Sequence, residues 1–130
     1  MNTFQIVLLV LAGLIVLNYV KKKIQTRGLV NYTPQEAGNK VKGSRNVILL
    51  DVRTKAEREK QSIKGSFHIP LHELNSRADE LNKFKDKEII CYCQTGNRSV
   101  SAAVKLRKKG FNAANMKGGI VRWNGSNLRK

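Results

Sequence analysis

The chain has 130 residues, the length of one ordinary domain, and its 25 Lys+Arg against 9 Asp+Glu give a formal charge of +16. A hydrophobic content of 41% supports a packed core and excludes wholesale disorder, and two cysteines exclude a disulfide-rich secreted scaffold. Two histidines leave few metal ligands, and no repeat shows at a period of about 20 to 50 residues.

Residues 1 to 20 carry no Lys, Arg, Asp or Glu. From Phe4 to Val20 only Gln5 and Asn18 are clearly polar, and these seventeen residues, rising about 1.5 Å each, make a helix of roughly 25 Å. A bilayer core is about 30 Å thick and spans begin near 17 residues, so a short transmembrane helix is expected. A cleaved signal peptide fits less well, because Met1-Asn2-Thr3 supplies no basic charge and the apolar run ends directly in Lys21, Lys22 and Lys23. A buried core helix fits worse, since this one is apolar on every face.

All Lys and Arg lie C-terminal to the run, which places the N-terminus outside and the rest in the cytoplasm. The expectation is a single-pass protein of the inner or plasma membrane with reduced thiols. It divides into an anchor over residues 1–22, a basic juxtamembrane tether over 23–28 and a domain over 29–130. The lysines after the span would also meet anionic lipid.

Leu29-Val30-Asn31-Tyr32 reads as a brief strand. Thr33-Pro34-Gln35-Glu36 combines a Thr cap, Pro at the first helical position and Glu three residues past the cap, so a helix should run to about Lys42 and stop at Gly43. Val47 to Val52 is a continuous apolar run interrupted only by Asp51, as expected of a strand buried on both faces. Thr54-Lys55-Ala56-Glu57 is a second capping box opening a short helix.

Ser66 to Ile69 reads as a strand closed by Pro70, followed by a helical stretch from about Leu71 to Phe84 in one or two pieces. Glu88 to Tyr92 is another buried strand, Asn97 or Arg98 to Lys109 a helix ending at Gly110, and Asn112 to Met116 a last short strand. Gly118-Gly119 then turns into a terminal helix carrying Trp123. Strands alternating with helices imply a three-layer α/β domain with a mainly parallel sheet flanked by helices, preceded by one transmembrane helix.

The segment Ile89-Ile90-Cys91-Tyr92-Cys93-Gln94-Thr95-Gly96-Asn97-Arg98-Ser99 is the most informative. An apolar strand leads into a cysteine, a small polar loop and a helix. Cys93 therefore sits at the carboxyl end of a strand, where α/β sheets bind ligands, and near a helix amino end whose unpaired N–H groups favour an anion. A cysteine of pKa about 8.5 is about 3% thiolate at pH 7, and lowering it to about 6.5 takes roughly 2.7 kcal/mol. A helix terminus contributes about 0.3 to 2 kcal/mol and a charge-assisted hydrogen bond about 1.5 to 3, so such a loop can make a reactive thiolate. The competing reading is a buried, inert cysteine before a turn.

Cys91, flanked by Ile90 and Tyr92, is expected to fill the core. A Cys91–Cys93 disulfide is disfavoured, because residues two apart on a strand are about 6.6 Å apart, near the limit for bridging. Cys-x-Cys and two distant histidines offer too few ligands for a metal, and no cofactor is expected. Asp51 and Arg53 are expected as supporting residues, through an ion pair or turn bond at a strand end, with contact to the substrate as the alternative. Arg98 can bind an anionic donor or brace the loop, and Ser99 can bond a loop N–H or the sulfur. His68 and His72 are not expected in the chemistry, and Trp123 is expected in the core.

Asp51-Val52-Arg53, Glu57, the run Ile63-Lys64-Gly65-Ser66-Phe67-His68-Ile69-Pro70, the loop Cys93-Gln94-Thr95-Gly96-Asn97-Arg98-Ser99, and Lys117-Gly118-Gly119-Ile120 with Trp123 resemble, in order and spacing, the motifs of the rhodanese family of sulfurtransferases. The resemblance covers about residues 29 to 125. It implies a five-stranded parallel sheet, a persulfide carried on Cys93, and an active loop over Cys93 to Arg98. The chain departs from common family patterns at Gln94, where a basic residue is frequent, at Gln61-Ser62, where Gly-His is frequent, and at Arg58, where an aromatic is frequent. Its end, Asn127-Leu128-Arg129-Lys130, is more basic than usual.

The expected activity is sulfur transfer from thiosulfate or a persulfide donor to cyanide, a small thiol or a protein thiol, by double displacement through Cys93. The alternative is a membrane-anchored sulfur carrier or protein-binding module with little turnover, whose membrane-protein partner the sequence does not identify. A related phosphatase or arsenate reductase would want Cys-x5-Arg to enclose a tetrahedral oxyanion, where Cys93 and Arg98 give Cys-x4-Arg. Nucleic acid is not expected as a partner, since charge alone supports it and no base-reading motif is present.

Overall fold

The computed structural model describes residues 1–125. The basic end Asn127 to Lys130, and with it the last part of the expected domain, lies outside the described residues.

Helix α1 spans Thr3–Thr26, capped by Asn2, whose side chain accepts from the Gln5 N–H while Gln5 reaches back to the Asn2 N–H. None of its residues is buried, and it is the one helix among the described residues long and apolar enough to cross a membrane. It continues helically through Lys21–Lys23 to Thr26, so most of the expected tether is helix. The physical reason is that Lys and Gln are good helix formers and nothing breaks the ladder before Gly28.

The strands are β1 (Asn31–Tyr32), β2 (Val47–Asp51), β3 (Phe67–His68), β4 (Glu88–Tyr92) and β5 (Asn112–Met116). They form one sheet in the order β1-β5-β4-β2-β3 with every pair parallel. The helices that follow them in turn are α2 (Pro34–Gly43), α3 (Lys55–Lys60), α4 (Leu74–Arg77), α5 (Asn97–Lys108) and α6 (Gly119–Gly125). Both expected capping boxes form: Thr33 with Glu36 opens α2, and Thr54 with Glu57 opens α3. The stretch expected as one or two helical pieces is three, since 3-10 turns at Leu71–Glu73 and Ala78–Phe84 flank α4. Neither α4 nor the second 3-10 segment starts with a side-chain cap, so packing of Leu74, Ala78 and Leu81 sets the local winding.

Strand alternation sends side chains into two cores. Ile89, Cys91 and Cys93 join Leu50, Val52, Ala102, Ala103 and Leu106 on the face covered by α4 and α5. Ile90 and Tyr92 join Leu49, Ala37, Ala114, Met116, Ile120 and Trp123 on the face covered by α2 and α6. Each fully buried Leu or Ile contributes about 1.5 to 3 kcal/mol, so both layers are needed to hold the sheet. The chain leaves β2 toward β3 but leaves β4 toward β5, in opposite directions across the sheet. The carboxyl ends of β2 and β4, paired in register at Asp51 and Tyr92, therefore flank the crevice where such sheets bind ligands.

Candidate active site

Cys93 follows β4 directly and begins a loop that ends in the first turn of α5. The loop turns at Gly96, whose φ of 110° is a left-handed conformation; a Cβ there would also stand 3.0 Å from the Gly118 nitrogen. Gly119 makes the other close approach, since a Cβ on it would overlap the carbonyl oxygens of Cys93 and Gln94. Those same carbonyls accept from the first turn of α6, Cys93 from Ile120 N–H at 2.9 Å and Gln94 from Val121 N–H at 3.3 Å. The Gly118-Gly119 pair thus lets one helix end clamp the start of the loop.

The sulfur of Cys93 accepts from the Gly96 N–H at 3.0 Å and lies 3.4 Å from the Ser99 hydroxyl. Burial of this residue, which is 1% exposed, disfavours the thiolate. Hydrogen bonds from the Ser99 hydroxyl and from the backbone of Ser99, Gly96 and Thr95 outweigh that, and the thiol is held below its ordinary range. Cys91, fully buried one pleat back, is pushed up by desolvation and further by the neighbouring Cys93. The two thiols do not form a disulfide.

Arg98 turns to α3 and makes a two-pronged ion pair with Glu57, both contacts at 2.7 Å. The pair links the start of α5 to α3. The hydrogen bond from Arg98 is the largest influence on Glu57, and with the bonds from Thr54 it holds that carboxylate down to about 2.

Asp51 and Arg53 form a buried pair: Arg53 Nε and Nη2 donate to the two Asp51 oxygens at 3.0 and 2.8 Å, and the Arg53 N–H donates to Asp51 at 2.9 Å. They reach the loop through Gln94, whose Oε1 accepts from Arg53 Nη1 at 3.3 Å. Gln94 is half-buried, while Thr95 and Asn97 are exposed. His68 bonds the Arg53 carbonyl at 2.7 Å, and His72 is an exposed residue 3.8 Å from Glu73. A cleft of about 370 Å³ beside Arg98 is lined by Val52, Thr54, Leu71, His72, Arg98 and Lys105. Among the described residues no group of His, Cys, Asp and Glu is arranged to hold a metal ion.

Several contributors went unread in the sequence. The Tyr92 hydroxyl donates to Asp51 at 3.1 Å, accepts from the Ile63 N–H at 3.2 Å and meets Ser66 at 2.8 Å. Arg58, noted only as a departure, contacts Asp51 at 3.3 Å and donates to Ser66. Asn115, on β5, receives the Ser99 hydroxyl. An asparagine amid the apolar positions of a central strand was the available signal for it, since buried polar groups are paired.

Residues 33–126 match the rhodanese-like domain family. The chain is 31% identical over 97 residues to a protein named sulfurtransferase from Allochromatium vinosum, covering 73% of this chain and 89% of that one. It is 36% identical over 121 residues to the uncharacterized protein YqhL of Bacillus subtilis, covering 92% of each. The crystal structure of a rhodanese-related protein from Thermoplasma volcanium superposes with a TM-score of 0.69 at 30% identity, covering 75% of this chain and 93% of that one.

Proposed function

The chain belongs to the family of rhodanese-like domains, and on that premise we propose that it transfers sulfane sulfur through a persulfide on Cys93. The observation that carries the reading is the seat of that sulfur, 3.0 Å from the Gly96 N–H, beside Ser99 and at the amino end of α5. The Cys93 thiolate attacks the outer sulfur of thiosulfate, the S–S bond of the donor breaks, and sulfite leaves with its electron pair. A persulfide donor would lose its thiolate in the same way. Cyanide or a thiolate then attacks the outer sulfur of the Cys93 persulfide, and the Cys93 thiolate leaves. The loop N–H groups hold the anionic sulfur throughout. No metal or cofactor is required by this sequence of steps.

The loop suits this chemistry better than phosphoryl or arsenate chemistry. Its spacing is one residue shorter, and the Arg98 guanidinium is bound to Glu57 instead of lining the cradle. The test is mass spectrometry after incubation with thiosulfate or a low-molecular-weight persulfide. One added sulfur on the Cys93 peptide is expected; none with either donor overturns the reading.

α1 anchors the domain in this proposal, its N-terminus outside and residues after Val20 in the cytoplasm. Its apolar side chains are exposed, Leu9 and Val16 at 59% and 61%, and no residue of the helix is buried. A sulfur carrier or binding module with little turnover is the second reading. Gln94 supplies no charge beside the cysteine, and the Arg98 charge is already paired, so a dianionic donor meets little attraction there. One sulfur loaded on Cys93 without multiple turnovers would select the carrier.

A further inference from the structure

Behind the Cys93 sulfur runs a chain of polar side chains with a fixed direction. Asn31 Nδ2 donates to the Leu29 carbonyl at 3.3 Å, and a carbonyl can only accept. That sets the Asn31 amide so that its Oδ1 accepts from Asn115 Nδ2 at 2.9 Å. The remaining Asn115 atom, Oδ1, therefore faces Ser99 Oγ at 2.5 Å and can only accept. Ser99 has one proton and three candidates for it: Asn115 Oδ1 at 2.5 Å, the Gly96 carbonyl at 3.1 Å and Cys93 Sγ at 3.4 Å. Ser99 is 0% exposed and Asn115 3%, so water does not relieve the competition.

We propose that Asn115 is a positioning residue that sets the reactivity of Cys93 by competing with its sulfur for the single proton of Ser99. While the sulfur is a neutral thiol, Ser99 donates to Asn115 and offers a lone pair to the S–H. When Cys93 loses its proton, the Ser99 hydroxyl rotates about its Cβ–Oγ bond and donates to the sulfur anion, giving up its shortest contact. The thiolate is thus stabilised by less than a Ser99 free of Asn115 would allow. The benefit is nucleophilicity, which falls as a thiol becomes more acidic, so the best attacking thiol is one ionising near ambient pH. The inference deepens the reading of Cys93 as the sulfur-bearing nucleophile.

The sign of the effect makes it testable. Asn115→Leu removes the competitor at similar volume. Asn31→Ala, on the exposed edge strand, leaves Asn115 in place but lets its amide turn and offer N–H to Ser99. Both should lower the Cys93 pKa by about 0.5 to 1 unit, the worth of one neutral hydrogen bond. At a pH below that value, alkylation should then run about two to four times faster, the gain in thiolate being partly offset by its lower nucleophilicity. Ser99→Ala should raise the pKa.

The readouts are ultraviolet titration of the thiolate and the pH dependence of iodoacetamide alkylation at Cys93, on the detergent-solubilised full chain, with Cys93→Ser subtracted. The other ionisable groups around the sulfur stay unaltered in every variant: Arg98 with Glu57, Cys91, the Asp51–Arg53 pair with Arg58 and Tyr92, and Lys117 and Arg122 of the β5–α6 segment. If Asn115 merely held Ser99 toward the sulfur, its removal would raise the pKa. A raised or unchanged pKa in Asn31→Ala with an unchanged melting curve overturns the proposal, even where Asn115→Leu does not fold. The titration needs no sulfur donor. A lowered pKa without any persulfide would therefore uphold this inference while sinking the proposed function.

Discussion

Arg98 holds Glu57 through both terminal guanidinium nitrogens, each 2.7 Å from a different carboxylate oxygen. The same Glu57 closes the capping box of α3 with Thr54, so one carboxylate ties a helix start to the cysteine loop.

The first prediction follows from that pair. The folded-state value of Glu57, about 2, lies below the ordinary 4.5. A depressed carboxylate contributes stability that is present above pH 4.5 and lost as pH falls toward 2. The shift alone would suggest about 3 kcal/mol, but both side chains are about a third exposed, and solvent screening leaves about 1 to 2 kcal/mol. Glu57→Gln should lose about that much at pH 7, and the gap to wild type in thermal melts should narrow below pH 4.5 and close as pH falls through about 2. A gap constant with pH would deny the ion pair its role.

Gly119→Ala should disable the loop. Its φ of 62° and the overlap of a Cβ with the Cys93 and Gln94 carbonyls force α6 away from the loop. The expected cost is about 1 to 3 kcal/mol in stability, with a larger fractional fall in sulfur loading on Cys93. Normal loading in a destabilised variant would show that the clamp is structural only.

The two cysteines should behave oppositely. Cys93 should react with a small alkylating reagent at neutral pH and Cys91 only on unfolding, because hydrogen bonds favour one thiolate and burial disfavours the other. Cys93→Ser should abolish transfer from thiosulfate to cyanide with little loss of stability. Cys91→Ser should keep activity and lose about 1 to 3 kcal/mol if the hydroxyl finds no partner in its apolar site. Peptide-resolved alkylation and chemical denaturation check both.

Gln94→Arg meets a like charge. Arg53 Nη1 is 3.3 Å from Gln94 Oε1, and since Asp51 offsets part of its charge, the repulsion is a fraction of the roughly 4 kcal/mol felt by two bare unit charges about 4 Å apart at an effective dielectric of 20. The new guanidinium should therefore swing out over the loop mouth, where it meets the donor. A several-fold lower KM for thiosulfate is expected, with little change in kcat and a modest loss of stability. An unchanged KM would mean that the donor does not approach past residue 94.

The anchor makes a separate prediction. The full chain should sediment with membranes and resist carbonate extraction, while removal of residues 1–22 should release a folded domain. Recovery of the intact chain in the soluble fraction would refute the span, and protease access to the domain from outside intact cells would reverse the orientation.

What lay in the sequence by itself was everything set by neighbours in the chain. Thr33 with Glu36 and Thr54 with Glu57 mark helix starts three residues apart, and a cysteine after Glu88–Tyr92 followed by a glycine loop places a sulfur at a helix amino end. The family motifs extended that reading to the sheet. Tertiary structure decided the pairings across long separations. Arg98 and Glu57 lie 41 residues apart, as do Tyr92 and Asp51, and Asn31 and Asn115 lie 84 apart. No local pattern specifies which acceptor a guanidinium or hydroxyl will find, because that depends on which strands become neighbours. The order β1-β5-β4-β2-β3 brings Asn115 behind Ser99 and Asp51 beside Tyr92, and so decides what surrounds a cysteine whose position the sequence had already marked.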